Sequence, residues 1–501
     1  MWTKSFESGI VPKEYKIQTI IPIFKKGQKT KAENFRPVIL PPHPIKIFER
    51  ILRTKLYNYF ESNHFLHPNQ HGFRKQRSCA TQLLAHTSDV FSNLVEGNDV
   101  DCIYLDYAKA FYKVDHGILI KKLAQYGVTE KYLKWIKSFL TGRTQNVVLN
   151  GFYSYLSSVI SGVPQGSVLG PLLFIIYIND LSNLIKNAKI LTFADDTKII
   201  SKISSVEDTI SLQENLNSIM EWSIRNNMSL NNQKFELMCH KTHLMNKSLE
   251  SFSSLPFFNE YSTYTTSEYD TISTSDKVRD LGIIIDPNLN WQLQIQTVYK
   301  KCKQLCSWIL SVFYSRDKLV MLTLFNSIVR SKLEYCSEIW SPYKIRDINT
   351  IEQIQRSFTS RIKGMNQLNY WERLQELQIL SLQRRRERNI ILHLWKIKNN
   401  INPNSIDIEF KEHKRSTAIR AVVKPLPKVR GRMLTQYDES FVIRSAKLWN
   451  VLPPNLTHVT SLDIFKSNLK SFLFKVPDKP PLPGYPYTSD NSLLNQYTCL
   501  N

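Results

Sequence analysis

Residues 191–201 read Leu191-Thr-Phe-Ala-Asp195-Asp196-Thr-Lys-Ile-Ile-Ser201. Two runs of strand character, Leu191 to Phe193 and Lys198 to Ser201, flank Ala194, Asp195, Asp196 and Thr197, so the spacing predicts a hairpin with two acids at its turn. Upstream, Asp101 to Asp106 is a short apolar run that ends in another acid. Buried strands avoid bare carboxylates, because ionised acids gathered at strand ends suffer both desolvation and mutual repulsion. Divalent cations relieve both, and an all-oxygen ligand set suits magnesium. Two such ions about 3.5–4 Å apart can activate an attacking hydroxyl and stabilise a leaving phosphate in an in-line displacement. On spacing alone, this site and an ordinary acidic turn both remain open.

Around that core the pattern is mixed. Ile17 to Phe24 and Phe35 to Leu40 read as strands joined through the basic turn Lys25-Lys26-Gly27. Phe48 to Phe60, Cys79 to Leu94, Asp115 to Gly127, Thr129 to Gly142 and Ser211 to Trp222 carry helical apolar spacing. Gln145 to Val159 looks like strands, Ser161 to Gly170 is a Gly and Pro loop, and Pro171 suits the first turn of an apolar helix. Val278 to Ile285 is a further strand candidate, and from Trp291 to about Asn399 the chain reads as helix. Ile401 to Val429 is polar and basic with little periodicity, and Pro477 to Pro486 is a proline-rich tail not expected to pack.

Composition narrows the class. The 501 residues are 42% hydrophobic and 11% aromatic, which excludes wholesale disorder and predicts more than one packed unit. A net charge of +23 points to a polyanionic partner such as a phosphate backbone. The seven cysteines are odd in number and irregularly spaced, which argues against a disulfide framework and for an intracellular protein. Cys302 and Cys306 share a helical face with Val298, Leu305 and Ile309, and so read as core rather than half of a zinc site. The longest apolar run, Leu172 to Ile178, is far short of a membrane span, and no secretory leader opens the sequence, so no membrane association is expected.

The text around the acids resembles the reverse transcriptases of non-LTR retrotransposons, most closely the jockey-like elements. Seven blocks appear in the family's order between Trp2 and about Phe474. They are Asn34-Phe-Arg-Pro-Val-Ile-Leu40, Gln70-His-Gly-Phe-Arg-Lys75, Leu105-Asp-Tyr-Ala-Lys-Ala-Phe111, Ser161-Gly-Val-Pro-Gln-Gly-Ser-Val-Leu-Gly-Pro171, Phe193-Ala-Asp-Asp-Thr197, Leu230-Asn-Asn-Gln-Lys234 and Leu281-Gly-Ile283.

The resemblance implies an α+β right-hand polymerase fold, with fingers over 1–100, an antiparallel-sheet palm over 101–290 and a helical thumb over 291–365. A mostly helical basic region over 366–475 and a proline-rich tail over 476–501 complete it. It implies that Asp106, Asp195 and Asp196 are the catalytic carboxylates and hold two Mg²⁺ ions, with Mn²⁺ a possible substitute. Phe111 stands where the family crowds the sugar 2′ position, favouring dNTP over rNTP; a plain core phenylalanine is the bland alternative. Gln165 and Gly166 line the nascent base pair, and Arg36 grips the triphosphate with its guanidinium fork. Lys25 or Lys26 adds a point charge or is a solvated loop lysine, and Lys234 matches a lysine that protonates the leaving pyrophosphate. The implied partners are an RNA template, a DNA primer or RNA/DNA hybrid, and dNTPs. The implied location is intracellular, and the nucleus if the chain is active as a retrotransposon protein.

Three departures stand out. Tyr112 replaces the acid that usually follows Phe111, so that acid's hydrogen bonds are lost and reduced activity is expected. Phe235 stands where a threonine commonly follows Lys234, and Pro41-Pro42-His43 is unusual after the Arg-Pro block. Met1 aligns inside the fingers, so the family's N-terminal endonuclease lies outside the sequence, and no RNase H acids or Cys/His knuckle are seen after Ile285. These features motivate two competing readings: a non-catalytic RNA- or DNA-binding remnant of a decayed mobile element, and an RNA-dependent RNA polymerase, against which Phe111 argues. Arg384, Arg385, Arg386 and Arg388 form the densest basic cluster, read as a grip on template RNA or as a solvated helix face.

Overall fold

The computed structural model describes residues 1–242, 263–266, 270–406, 408–412, 418–423, 436–478 and 492–494. They divide into two compact units that the chain visits in alternation. The first takes its described residues from 1–75, 101–237 and 255–274, the second from 76–100, 238–254 and 275–501.

The strands up to residue 274 are β1 (Ile17–Phe24), β2 (Phe35–Ile39), β3 (Asp99–Leu105), β4 (Arg143–Leu149), β5 (Phe152–Tyr153), β6 (Ser157–Val159), β7 (Lys189–Phe193), β8 (Asp196–Ile203), β9 (Glu236–His240) and β10 (Ser273–Thr274). One sheet has β1 at its heart, antiparallel to β2 with Ile20 opposite Ile39, and parallel to β4 with Ile17 opposite Thr144. β5 and β6 add to β4. The other sheet runs in the order β7-β8-β3-β9-β10. In β3 every residue but Asp101 is buried, and Cys102 and Ile103 are fully so, as expected of a central strand covered on both faces.

The helices of residues 1–225 follow from ordinary signals. They are α1 (Trp2–Ser8), α2 (His43–Ser62), α3 (Cys79–Val95, in the second unit), α4 (Ala110–Lys113), α5 (His116–Gln125), α6 (Glu130–Leu140), α7 (Gly170–Tyr177) and α8 (Val206–Arg225). Ile45, Phe48, Leu52, Leu56 and Phe60 make the buried stripe of α2, with a proline in its first turn. The Asp115 side chain caps α5 by accepting from the Ile118 amide. In α7 all residues but Pro171 are buried, which fits a helix that is apolar all round.

In the second unit, α3 opens with a Ser78–Thr81 capping box. Strands β11 (Val278–Asp280) and β12 (Ile283–Ile285) form a hairpin, where one continuous strand was expected. Leu281 and Gly282 take the chain round with φ of 45° and 87°, and a two-residue turn with both centres left-handed reverses a strand tightly. Helices 292–312, 345–359, 382–398, 441–450 and 462–475 are its longer elements beside α3. Trp395 stacks on Phe465 at 5.2 Å, with Trp449 on the same ring at 6.2 Å. Cys302 and Cys306 are buried, as the helical spacing implied, and burial pushes both thiols up to about 12. Among the described residues no helix is long and apolar enough to cross a membrane.

Two segments pack where none was expected to. Within Ile401 to Val429, β13 (Ile408–Glu412) and β14 (Ile419–Val423) pair antiparallel, and the Trp449 indole donates to the Ile419 carbonyl. Of the tail, Asp478 accepts from the Ser381 amide and hydroxyl, and the fully buried Leu493 donates its amide to Glu387. The rest of Pro477 to Pro486 beyond Asp478 lies outside the described residues.

The arginine cluster is the clearest correction. Arg384 and Arg386 are among the most buried side chains of the protein, neither gripping RNA nor lining a solvated face. Arg384 lies 3.5 Å from Glu387, and Arg385 pairs with Glu334. Glu352 is fully buried, accepts the Leu382 and Gln383 amides at the start of helix 382–398, and supplies the main opposite charge to Arg386. Burial pushes the Arg386 guanidinium down to about 10 and the Glu352 carboxyl up. Removing one partner strands the other, so Arg386→Ala should cost about 3–5 kcal/mol. A chemical-denaturation midpoint unchanged from wild type would contradict this.

Candidate active site

The acidic hairpin is tighter than its spacing suggested. Phe193 pairs directly with Asp196, so the turn is Ala194-Asp195 alone and Asp196 begins β8. Ala194 sits at φ 55°, a left-handed conformation that costs an L-residue roughly 1–2 kcal/mol. A neighbouring segment holds it there. Residues 69–71 run alongside β7, the Thr192 amide donating to Asn69 and the His71 amide to Thr192. The Gln70 side-chain oxygen then accepts from the Ala194 amide at 3.0 Å and the Gly72 amide at 2.7 Å. Gly72 is required by contact: a Cβ there would lie 2.3 Å from the Ala194 nitrogen.

Asp106 follows the end of β3. Its carbonyl accepts the Asn231 amide, and Ala108 donates to Ser229, so the segment 229–234 is laced to the acid's own backbone. That lacing delivers Lys234, whose ammonium lies 2.7 Å from Asp106 Oδ2. Burial raises the Asp195 carboxyl, its own backbone amide lowers it, and Asp106 raises it further, with Arg36 and Lys25 pulling the other way. Asp106, Asp195, Lys234, Arg36 and Lys25 thus share one electrostatic environment. Asp196 is exposed at the start of β8.

These residues fit a divalent cation. A desolvated carboxylate raised by a second carboxylate is a site short of positive charge, and the Lys234 ammonium on Asp106 is already a partial substitute. Asp106, Asp195 and Asp196 offer only oxygen donors, as hard cations prefer.

The opposite wall is made by β2 and the loop 161–170. The Ile39 amide donates to the Gln165 carbonyl, and a Cβ on Gly166, at φ 124°, would lie 2.2 Å from the Ile39 oxygen. Phe111 stacks on Phe174 at 4.3 Å and meets Phe73 edge-on at 6.0 Å, which fixes a half-buried ring as a rigid surface. Tyr112 makes its own bonds where the acid's were expected to be lost: its hydroxyl lies 2.7 Å from the Pro37 carbonyl and 2.9 Å from Gln165 Oε1.

Sequence reasoning missed Gln70 and Glu49 as working residues. Glu49 is fully buried and accepts the Val168 and Leu169 amides, which holds the end of the 161–170 loop. Gln70 stood inside a quoted block, but nothing local marked its side chain. Glu49 sits in an amphipathic helix, where an acid on the buried face is its only signal.

Carboxylates at two strand ends, the cations Arg36, Lys25 and Lys234 acting on them, and a braced aromatic ring make a centre suited to phosphate chemistry. The family model for reverse transcriptase (RNA-dependent DNA polymerase) matches residues 23–285, a stretch that contains every residue described above as part of the site, and the chain belongs to that family. It is similar to the RNA-directed DNA polymerase from mobile element jockey of Drosophila funebris, 27% identical over 370 residues that cover 71% of this chain and 38% of that protein. The probable RNA-directed DNA polymerase from transposon X-element of Drosophila melanogaster is 26% identical over 365 residues, 70% of this chain and 38% of that protein. These matches agree with the non-LTR, jockey-like resemblance of the ordered blocks. The chain spans about two fifths of the length of these relatives. Among solved structures, an apo telomerase from Candida tropicalis aligns over 81% of this chain and 70% of its own at 11% identity, with a TM-score of 0.41.

The ammonium on Asp106 competes with any cation bound there. With side chains 63% and 34% exposed, the pair is worth at most about 1 kcal/mol. Lys234→Met should therefore tighten Mn²⁺ binding two- to fivefold, read by calorimetry or by the free-ion Mn²⁺ spectrum. Weaker binding in the variant would contradict this competition.

Proposed function

We propose that the chain carries out RNA-directed DNA synthesis, adding dNTPs to a primer 3′-hydroxyl on an RNA template, as a non-LTR retrotransposon reverse transcriptase. The observation that carries this reading is the meeting of Asp106 and Asp195 in one electrostatic environment with Arg36 and Lys234. Asp106, Asp195 and Asp196 are the residues to hold two Mg²⁺ ions, with Mn²⁺ a substitute. When bound, the ions supply activation of the primer hydroxyl and neutralisation of charge on the departing pyrophosphate.

The remaining roles belong to this chain's own side chains. Arg36, exposed on β2 and within Coulombic reach of Asp195, presents a fork suited to triphosphate oxygens. Phe111, stacked on Phe174 and met edge-on by Phe73, is the ring set to exclude a 2′-hydroxyl. Gln165 and Gly166 present backbone and amide beside the nascent base pair, the close approach depending on glycine. Lys234, donating to Asp106, stands where a proton could pass to a leaving phosphate. Fingers to about residue 100, palm to about 290 and thumb to about 365 is the division this reading assigns. RNA template, DNA primer or hybrid, and dNTPs are its partners, and the nucleus its place of action.

Primer extension on RNA with Mg²⁺ and dNTPs tests the reading. Asp195→Asn, matched to wild type in folding and RNA binding, should lose roughly a thousandfold in rate, the several kcal/mol a misplaced metal centre costs. Full activity in that variant would sink the assignment, and a preference for rNTPs would sink the role of Phe111.

A further inference from the structure

Tyr112 occupies the position where the sequence departs most sharply from its family, and the structure gives it a specific task. Its hydroxyl is 2.7 Å from the Pro37 carbonyl on β2 and 2.9 Å from Gln165 Oε1. One hydroxyl carries one proton, so it cannot serve two acceptors at full strength. Turning the Gln165 amide by 180°, an exchange of near-identical atoms, resolves this. The amide NH₂ then donates to the phenol oxygen, and the phenol donates to Pro37. A continuous chain runs from Gln165 through Tyr112 to the backbone one residue from Arg36. An aspartate is too short to span this gap in the same way and, when ionised, has no proton to give the Pro37 carbonyl.

The surroundings make this a joint. Other bonds already tie both ends: backbone Ile39 N–H to Gln165 O and Val163 N–H to Phe111 O, and the Ser161 side-chain hydroxyl to Tyr112 O. What those bonds leave free is the Gln165 side chain and the backbone at Pro37, the two points that the phenol reaches. The hydroxyl is a durable donor, since burial pushes its pKa up to about 12, so it keeps its proton throughout the working range.

We propose that Tyr112 is a positioning residue for the incoming nucleotide, fixing the Gln165 amide and the Arg36-bearing strand together. This rests on the proposed roles of Gln165 and Arg36. It acts on nucleotide binding, not on the carboxylates, because neither bond touches Asp106 or Asp195.

Tyr112→Phe removes only the hydroxyl. One net hydrogen bond is worth up to about a tenfold change in an equilibrium, so the dNTP KM should rise three- to tenfold with kcat within twofold. Gln165→Ala alone should raise KM similarly, and the double variant should be no worse than the poorer single, because both cut one chain. In the apo protein, amide exchange of Val38 and Ile39 should quicken at least threefold in Tyr112→Phe, with exchange in α7 unchanged. An unchanged KM, a loss confined to kcat, or fully additive singles would overturn the proposal, as would unaltered exchange on β2. If wild type itself extends no primer, the polymerase reading falls, and the exchange measurement alone still decides whether Tyr112 braces β2.

Discussion

The Asp195 carboxyl, raised by burial and by Asp106 beside it, sets the problem that the first unit is built around. Each acid sits at a strand end, Asp195 in a two-residue turn whose other member, Ala194, is held left-handed. Neither the repulsion nor the backbone strain favours folding. Both persist because neighbouring elements fix the backbone on which the acids stand: Gln70 and Gly72 behind the hairpin, and the segment 229–234 beside Asp106. This is how strain at a functional centre survives, by being over-determined from outside. The oxygen-rich site that results is the physical reason a metal centre fits here.

The same logic extends to the nucleotide side. The loop 161–170 has little regular structure, and its order comes from outside it. Glu49 accepts two of its amides, Phe111 and Tyr112 pin its start, and Ile39 meets Gln165 and Gly166. Glu49 is costly to bury, and burial raises its carboxyl despite two amide donors. A buried acid that satisfies loop amides is a specificity device rather than a source of net stability.

What could be read in the sequence follows from what is local. The β7–β8 hairpin, the apolar α7 and the capped α5 each carry their signal within a dozen residues, and the ordered blocks located the acids. The two-residue register of the acidic turn was not legible, since Asp196 reads equally well as turn or strand until Phe193 is seen opposite it. Gln70 and Glu49 act across long separations, on Ala194 and on Val168 with Leu169, and no spacing rule reports that. The hairpin β13–β14 was hidden because its order comes from Trp449 and Asn450, far along the chain. Tyr112 was legible as an anomaly but not as a part, because its partners, Pro37 and Gln165, lie 75 and 53 residues away.

The arginines of helix 382–398 show why charge counts mislead when burial is unknown. A run of Arg384, Arg385 and Arg386 looks like a polyanion grip, yet a guanidinium contributes to counterion release only where phosphate can reach it. Arg384 and Arg386 face Glu387 and Glu352 inside the second unit, and Arg385 faces Glu334. Their charge is spent on internal order. The net +23 of the chain must therefore act through other cations. Lys300, Lys301 and Lys303 of helix 292–312, for example, are exposed. Arg384 and Arg386, closed off from any phosphate, thus bear on whether the second unit holds together.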